Sequence, residues 1–453
     1  MSYTSLHNHT EYSNLRLRDS INRHTELIDY AIELGHEVIA FTEHDSISNA
    51  VKIEKYYKKI KEKNPDFKVI LGNEIYLCRD GLNGENFTKG QDGYYHFILL
   101  AKDEEGHKQI RELSTRAWKR SYVSGKMRRV VTYYQDIVEI IGKNPGHVIG
   151  STACLGGFVA NKILKWNEDK TDEFYALITN WVKNIEKIFG KGNFFLEMQP
   201  SAGQEQTIVN KQLYLLSKET GIPFIITTDS HYCKKEDAPI HKAFLNSQDG
   251  DREVDSFYAT TYLMDTEELE SYMNDYFVKE IFEEAYQNIL NIKNMCEDYS
   301  LLKSLKIPSL KWKQSSQFYD YEKHNWYFSK IPWLETFYHS PYDSDRHMVD
   351  LIIDKFEQDD RLKTQECYNE VNDNLRITWE SSEVNKARWS AYFLNLQNIL
   401  DVCWEAGTIV GPGRGSGVGF LLLYILDIIQ INPMWETTKT FSWRFLNPAR
   451  VSV

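Results

Sequence analysis

The chain has 453 residues, 42% hydrophobic and 26% charged, with a formal net charge of −12 at neutral pH. That length exceeds one ordinary domain and gives two domains enough interior for substantial cores, so two are expected. The composition excludes a disordered low-complexity protein, and the acidic balance excludes a uniformly basic nucleic-acid coat without ruling out a local groove.

The first ten residues are polar and include His7 and His9, lacking the charged start and apolar stretch of a secretory signal. The longest purely apolar run, Phe420 to Leu426, falls far short of the roughly 20 residues of a transmembrane helix. A cytoplasmic protein with no membrane partner is therefore expected. The six cysteines are scattered without a CxxC pair, against a disulfide scaffold or zinc ribbon.

From residue 1 to about 280, short apolar runs alternate with longer amphipathic stretches. Strands are expected at Glu37–Phe41, Phe67–Leu71, Phe97–Leu100, His147–Ile149, Phe194–Leu196 and Phe224–Ile226, and helices at Thr25–Leu34 and Gln204–Lys218. Such β/α alternation closes naturally as a barrel of parallel strands, with chemistry at their carboxyl ends. Between Thr115 and Tyr134 there is no acidic residue, while Arg116, Lys119, Arg120, Lys126, Arg128 and Arg129 are interleaved with Trp118, Tyr122, Tyr133 and Tyr134. This suits a DNA backbone with stacked bases, and equally a solvated face. Residues 281–385 form an irregular, aromatic-rich junction. Beyond it, residues 386–453 are expected to give a helix at Ala387–Ala406, a short strand, a glycine-rich loop and an all-round apolar helix from Phe420 to Ile429 that holds Asp427.

Metal-binding side chains stand just after the expected strands. His7 and His9 form His-x-His, which an extended chain turns to one side; Asp229 and His231 repeat that spacing after Phe224–Ile226. His44, Glu74 and Cys154 each follow another strand, whereas His96 precedes its apolar run. Nitrogen and oxygen donors with one thiol favour zinc or manganese over calcium, and clustered ions of this kind activate water and clamp a phosphoryl group. Glu197, after another strand, is expected to support a ligand from behind.

Leu-His-Asn-His-Thr-Glu-Tyr-Ser, Phe-Thr-Glu-His-Asp, Gly-Asn-Glu, Tyr-His-Phe-Ile-Leu-Leu-Ala, Ser-Thr-Ala-Cys-Leu-Gly-Gly and Thr-Thr-Asp-Ser-His-Tyr resemble, in order, the motifs of the PHP (polymerase and histidinol phosphatase) domain. The resemblance covers residues 1–280 and implies a distorted TIM-like α/β barrel with up to three ions. The implied ligands are His7, His9, Asp19, His44, Glu74, His96, Cys154, Asp229 and His231, with His7, His9, Glu74, Asp229 and His231 carrying metal-dependent 3′→5′ exonuclease chemistry. Asp19 lies farther from the first motif than is common, and Glu43 stands where the family usually has Asp.

The loop Gly411-Pro-Gly413-Arg414-Gly415-Ser416 offers free backbone N–H groups, a hydroxyl and a cation, and is neither a dinucleotide fingerprint nor a Walker loop. With Tyr392-Phe-Leu394 and Arg444-Phe-Leu-Asn-Pro-Ala-Arg-Val-Ser452 it resembles the palm of the alpha subunit of bacterial DNA polymerase III. This implies an α+β, nucleotidyltransferase-like partial palm whose loop contacts dNTP phosphates. In that family the Asp-x-Asp pair follows the last motif, so the expectation is a split polymerase fragment. A second chain would bring the aspartates, thumb and fingers, and Mg2+ would serve once the two assemble on DNA. A free-standing PHP-type DNA phosphoesterase is the alternative.

Overall fold

The apolar runs of the first 230 residues all become strands, as expected of aromatic and β-branched segments that are buried on both faces. The computed structural model describes residues 3–89, 91–125, 127–201, 203–247, 257–304, 306–308, 321–435 and 440–451. The strands are β1 (Val38–Phe41), β2 (Lys68–Cys78), β3 (Tyr95–Ala101), β4 (Tyr122–Ser124), β5 (Met127–Arg129), β6 (Thr132–Tyr133), β7 (Val148–Ser151), β8 (Phe194–Met198) and β9 (Phe224–Ile226). The main sheet runs β1-β2-β3-β7-β8-β9, with β6 added to β2, and β4 and β5 form a separate ribbon.

The N-terminal segment joins the two edges of this sheet. Ala40 N donates to Ser5 O at 3.1 Å and Thr42 N to Asn8 O at 2.9 Å on one side, while His9 N donates to Ser230 O at 2.9 Å and Ser230 N to His7 O at 3.1 Å on the other. The sheet thereby curls into an α/β barrel closed at the rim that holds His7, His9 and Ser230, and closure there removes the unpaired edges an open sheet would expose.

The expected all-parallel order is corrected at one strand. β1–β2, β7–β8 and β8–β9 are parallel, but β3 is antiparallel to both β2 and β7. The connection from Cys78 to Tyr95 has no helix among its described residues, so nothing carries the chain back to the opposite end, and a plain loop returns it antiparallel. His96, at the start of β3, pairs with Tyr76 near the end of β2. It therefore lies on the same rim as residues that follow the parallel strands.

Helices at His24–Glu33 and Gln204–Thr220 replace the expected Thr25–Leu34 and Gln204–Lys218 within a residue or two at each end. The chain divides into compact units Met1–Leu302 and Lys303–Val453. The first extends past residue 280 because the Lys279–Met295 helix buries Ile281, Phe282, Ala285, Ile289 and Ile292 in the barrel's core, and Asn288 Nδ2 donates to Phe224 O at 2.9 Å.

The second unit packs helices Tyr321–Lys330, Trp333–Tyr338, Asp343–Gln358, Gln365–Asn385 and Trp389–Glu405 around a core that includes Phe337, Phe356, Phe393 and Leu421 to Leu426. No strand precedes the glycine loop: residues 408–410 are irregular and Ile409 is 94% exposed, with no neighbouring strand among the described residues to pair with. The expected Phe420–Ile429 helix shortens to Leu421–Ile425, since Asp427 takes φ 55° and Ile428 N turns back to Leu423 O at 2.9 Å. Asp427 thus lies beyond the helix, where it pairs with Lys355. No described helix is long and apolar enough to cross a membrane.

His36 makes the first unit acid-sensitive. It is 5% exposed, packs edge-on to Tyr3 and places Nε2 3.0 Å from Met264 O. Burial lowers its pKa to about 4 in the folded protein, whereas an unfolded histidine takes up its proton near 6.5. Stability should therefore fall as pH drops from about 6.5 to about 4, by on the order of 3 kcal/mol from this group. Urea unfolding at a series of pH values should show a shallower slope in this window for His36→Gln than for the wild type.

Candidate metal centre

Nine side chains from seven segments of the chain converge on the closed rim, Glu74 and His96 from strands β2 and β3 and the rest from loops. Their donor atoms fall into three groups, His7/His9/Asp229, His9/His44/His231 and Glu74/His96/Cys154, with ligand atoms within 4.8 Å of one another in each. Glu74 is the shared centre. Its Oε1 lies 2.9 Å from His96 Nδ1 and 3.6 Å from His7 Nε2; its Oε2 lies 3.6 Å from His9 Nε2 and in close contact with His44 Nδ1. Asp19 Oδ2 is 3.0 Å from His44 Nε2 and 3.6 Å from His231 Nε2, which adds the ninth residue to the second group.

The donor set fits bound cations. The Nε2 atoms of His7 and His9 face each other at 3.1 Å, and both lie 3.1 Å from Asp229 Oδ1. Both Glu74 oxygens, Asp19 Oδ1, Asp229 Oδ1 and His44 Nδ1 are buried without a hydrogen-bond partner, an arrangement too costly to leave uncompensated. Imidazole, carboxylate and one thiol suit zinc or manganese.

The electrostatics show the same demand for positive charge. Burial alone would lower the pKa of His7, but the carboxylates of Asp229 and Glu197 outweigh it and raise it to about 9. His9 is pushed down to about 3 by burial and by His44 and His231 beside it. Burial opposes ionisation of Asp229 and Asp19, yet their histidine neighbours hold both well below the usual carboxylate range. Burial pushes the Cys154 thiol well up, so a cation is what would make it a thiolate.

Supporting contacts fix the rings. His7 Nδ1 meets Glu197 Oε1 at 2.6 Å, and Glu197 is held by Thr227 Oγ1 at 2.6 Å, Gln199 Nε2 at 3.3 Å and Ser151 Oγ. His231 Nδ1 donates to the Asp229 carbonyl at 2.7 Å, which leaves Nε2 free as a ligand. Glu43 is a staple between loops rather than a donor: it accepts from Thr10 N at 2.8 Å, Ser13 Oγ at 2.6 Å and Asn49 Nδ2 at 2.5 Å. Gly156 lets the His96 ring lie against the backbone, since a Cβ there would sit 3.0 Å from it.

Two supporting residues escape sequence reading. His241 places Nε2 2.5 Å from Asp19 O, and burial keeps it neutral with a pKa lowered to about 4. Arg16, 1% exposed in its side chain, pairs with Asp45 Oδ2 at 3.2 Å and lies 4.6 Å over the Tyr76 ring. Neither carries a local signal, because each acts through partners distant in the chain.

The six basic residues divide. Arg116 pairs with Glu112, Asp136 and Glu139, and Arg120 with Asp136. Among the described residues Arg128 reaches Ser121 Oγ, Arg129 lies over Tyr94, and Lys119 has no carboxylate partner. Lys126 lies outside the described residues. In the second unit, Gly411, Arg414, Gly415 and Ser416 are exposed and Gly413 half-buried, with φ 135° at Gly413 and 75° at Gly415 holding the turn open.

Replacing Glu197 with Gln should lower metal affinity about 10- to 100-fold, because His7 loses the carboxylate that orients it. Metal titration followed by elemental analysis checks this; unchanged affinity would mean that the ring is fixed by packing alone.

The PHP domain family matches residues 5–201, and the bacterial DNA polymerase III alpha NTPase domain matches residues 349–453. The chain is 35% identical over 477 residues to the probable DNA polymerase YorL of Bacillus subtilis (strain 168), and equally to a DNA-directed DNA polymerase of Bacillus phage SPbeta, covering 98% of this chain and 35% of each relative. It is 26% identical to the DNA polymerase III subunit alpha of Aquifex aeolicus (strain VF5), covering 100% of this chain and 35% of that protein. The chain thus spans about a third of the length of the curated relatives it matches. Among solved structures, an amidohydrolase from Chromobacterium violaceum aligns with 51% of this chain and 87% of its own at 14% identity, with a TM-score of 0.31 that carries no argument. The chain carries a PHP domain followed by DNA polymerase III alpha NTPase-domain sequence, and over nearly its whole length it is homologous to DNA polymerase III alpha subunits.

Proposed function

We propose that this chain takes part in DNA-directed DNA synthesis and that its metal centre hydrolyses the phosphodiester bond at a DNA 3′ end. The observation that supports the reading is the cluster of buried imidazole, carboxylate and thiol groups around Glu74 on one rim. Zinc or manganese would be held by His7, His9, Asp19, His44, Glu74, His96, Cys154, Asp229 and His231. Bound there, such ions supply an activated water and a clamp for the phosphoryl oxygens.

The protein's own part is orientation and access. Glu197 and the Asp229 carbonyl present the correct faces of His7 and His231, and Glu43 holds the first two ligand loops in register. Eight of the donors are at most 3% exposed, and His96, at 20%, marks the open side. Substrate would enter there.

The exposed Gly411–Ser416 loop is the candidate site for dNTP phosphates, with Arg414 as its cation. The remaining two thirds of such a polymerase, whichever chain carries it, would supply the paired aspartates, thumb and fingers, with Mg2+, for primer extension.

A labelled primer-template with a 3′ mismatch should lose its terminal nucleotide in the presence of manganese or zinc, and His9→Ala and Asp229→Ala should each abolish the loss. Bound metal without cleavage would reduce the centre to a structural role. Separately, Arg414→Ala should weaken dNTP binding about tenfold, the value of one charge-assisted hydrogen bond, in a fluorescence titration. Equal binding would remove the loop from nucleotide recognition.

A further inference from the structure

The open side of the metal centre is bordered by a surface that the metal chemistry does not use. The connection from β2 to β3 leaves the strand that carries Glu74 and re-enters at His96, the partly exposed donor. Two aromatic rings of that connection, Phe87 and Tyr94, stack in parallel with centroids 5.3 Å apart and planes 4° apart. Phe87 is 39% exposed.

The β4–β5 ribbon continues this surface. Tyr122 and Arg129 are opposite each other in the ribbon; the Tyr122 hydroxyl lies 2.7 Å from that of Tyr94, and the Arg129 guanidinium lies 4.5 Å over the Tyr94 ring. Arg129 Nε is buried with no hydrogen-bond partner. On the ribbon's other face Arg128 is exposed beside Val123, which is 65% exposed. The stem of the ribbon is tied to the ligand loops, because Trp118 Nε1 donates to Asp45 O at 2.6 Å, next to His44.

Charge and ring chemistry together select the occupant. Of the nearby acids, Asp92 and Asp136 are already matched by Arg79 and Arg120, and Asp80 and Glu85 of the connection are exposed to solvent. Lys119 and Arg129 remain available to phosphates, beside the exposed ring of Phe87, on which any base can stack. In a duplex the base faces are covered by their neighbours, so only an unpaired strand offers both its phosphates and its bases to such a surface.

We propose that the face formed by Phe87, Tyr94, Tyr122 and Arg129 cradles single-stranded DNA and leads an unpaired 3′ end to the His96 side of the centre. The inference rests on the hydrolytic reading only for what happens at the end of that path; the cradle itself binds without metal. Selectivity for a frayed end follows, because a paired end would have to melt before it could stack.

The test is fluorescence anisotropy of the full chain in chelator, with a labelled 12-nucleotide oligothymidylate and the blunt duplex of the same length, followed by 3′ hydrolysis with metal restored. The single strand should bind at least about tenfold tighter than the duplex, and Phe87→Ala, Tyr94→Ala or Arg129→Gln should each weaken it about tenfold, while Arg128→Ala, on the ribbon's other face, should bind like the wild type. Tyr94→Phe, which keeps the ring, should bind like the wild type, and thermal unfolding and metal content should be unchanged in Phe87→Ala and Arg129→Gln. Equal affinity for duplex, or wild-type binding by Phe87→Ala and Arg129→Gln, overturns the cradle even if hydrolysis is robust. Selective binding with no hydrolysis in any metal overturns the catalytic reading and leaves the cradle standing.

Discussion

The pairing of the first extended segment with both edges of the sheet is the constraint on which the metal centre depends. His7 and His231 are more than two hundred residues apart in the chain, yet the backbone bonds of Asn8 and Ser230 make their loops neighbours. Asn8 reinforces the joint with its side chain, donating from Nδ2 to Ala40 O at 2.8 Å and accepting at Oδ1 from Ser5 Oγ at 2.8 Å. If that segment came loose, the barrel would open between β1 and β9. The His7/His9/Asp229 and His9/His44/His231 groups would separate together, because each spans the seam.

Closure also explains how so many ionisable groups tolerate burial. Three carboxylates, five imidazoles and a thiol share one interior, and desolvation opposes charge on every one of them. Mutual attraction holds the carboxylates ionised at the expense of several buried atoms left without partners. The backbone bears part of the cost as well: Asp45, Ala153 and Asp229 have φ of 49°, 58° and 51°, each at or beside a ligand. Non-glycine residues are held in this region only where surrounding structure enforces it, and such strain gathers at functional sites.

The strands and the order of the candidate donors along the chain were legible in the sequence because each rests on a local signal, an apolar run followed by a donor. His96 looked out of place for a global reason: its strand runs opposite to its neighbours, and direction is not written in the run itself. Glu43 and His241 sit among ligand-like residues but act on other residues' backbone and hydroxyl groups, which composition cannot show. The basic stretch from Arg116 to Arg129 read as uniformly positive because the acids that neutralise part of it, Glu112, Asp136 and Glu139, come from just outside it. In the second unit the expected strand before Gly411 failed because a strand is a property of a pair, and no described segment lies beside Ile409.

The two candidate sites differ in a way that constrains what each can do. The metal donors are buried and rigid, fixed by side chains that are themselves fixed, so the position of a phosphate there would be set before substrate arrives. The Gly411–Ser416 loop is exposed and held by few contacts, chiefly Gln430 N donating to Pro412 O at 2.8 Å and Gly413 lying close to Val418 and Ile429. If dNTP phosphates bind there, as proposed, the loop's precision would come from the nucleotide and from whatever packs over it. In the proposed reading, the first site would act on a bond and the second would receive a nucleotide.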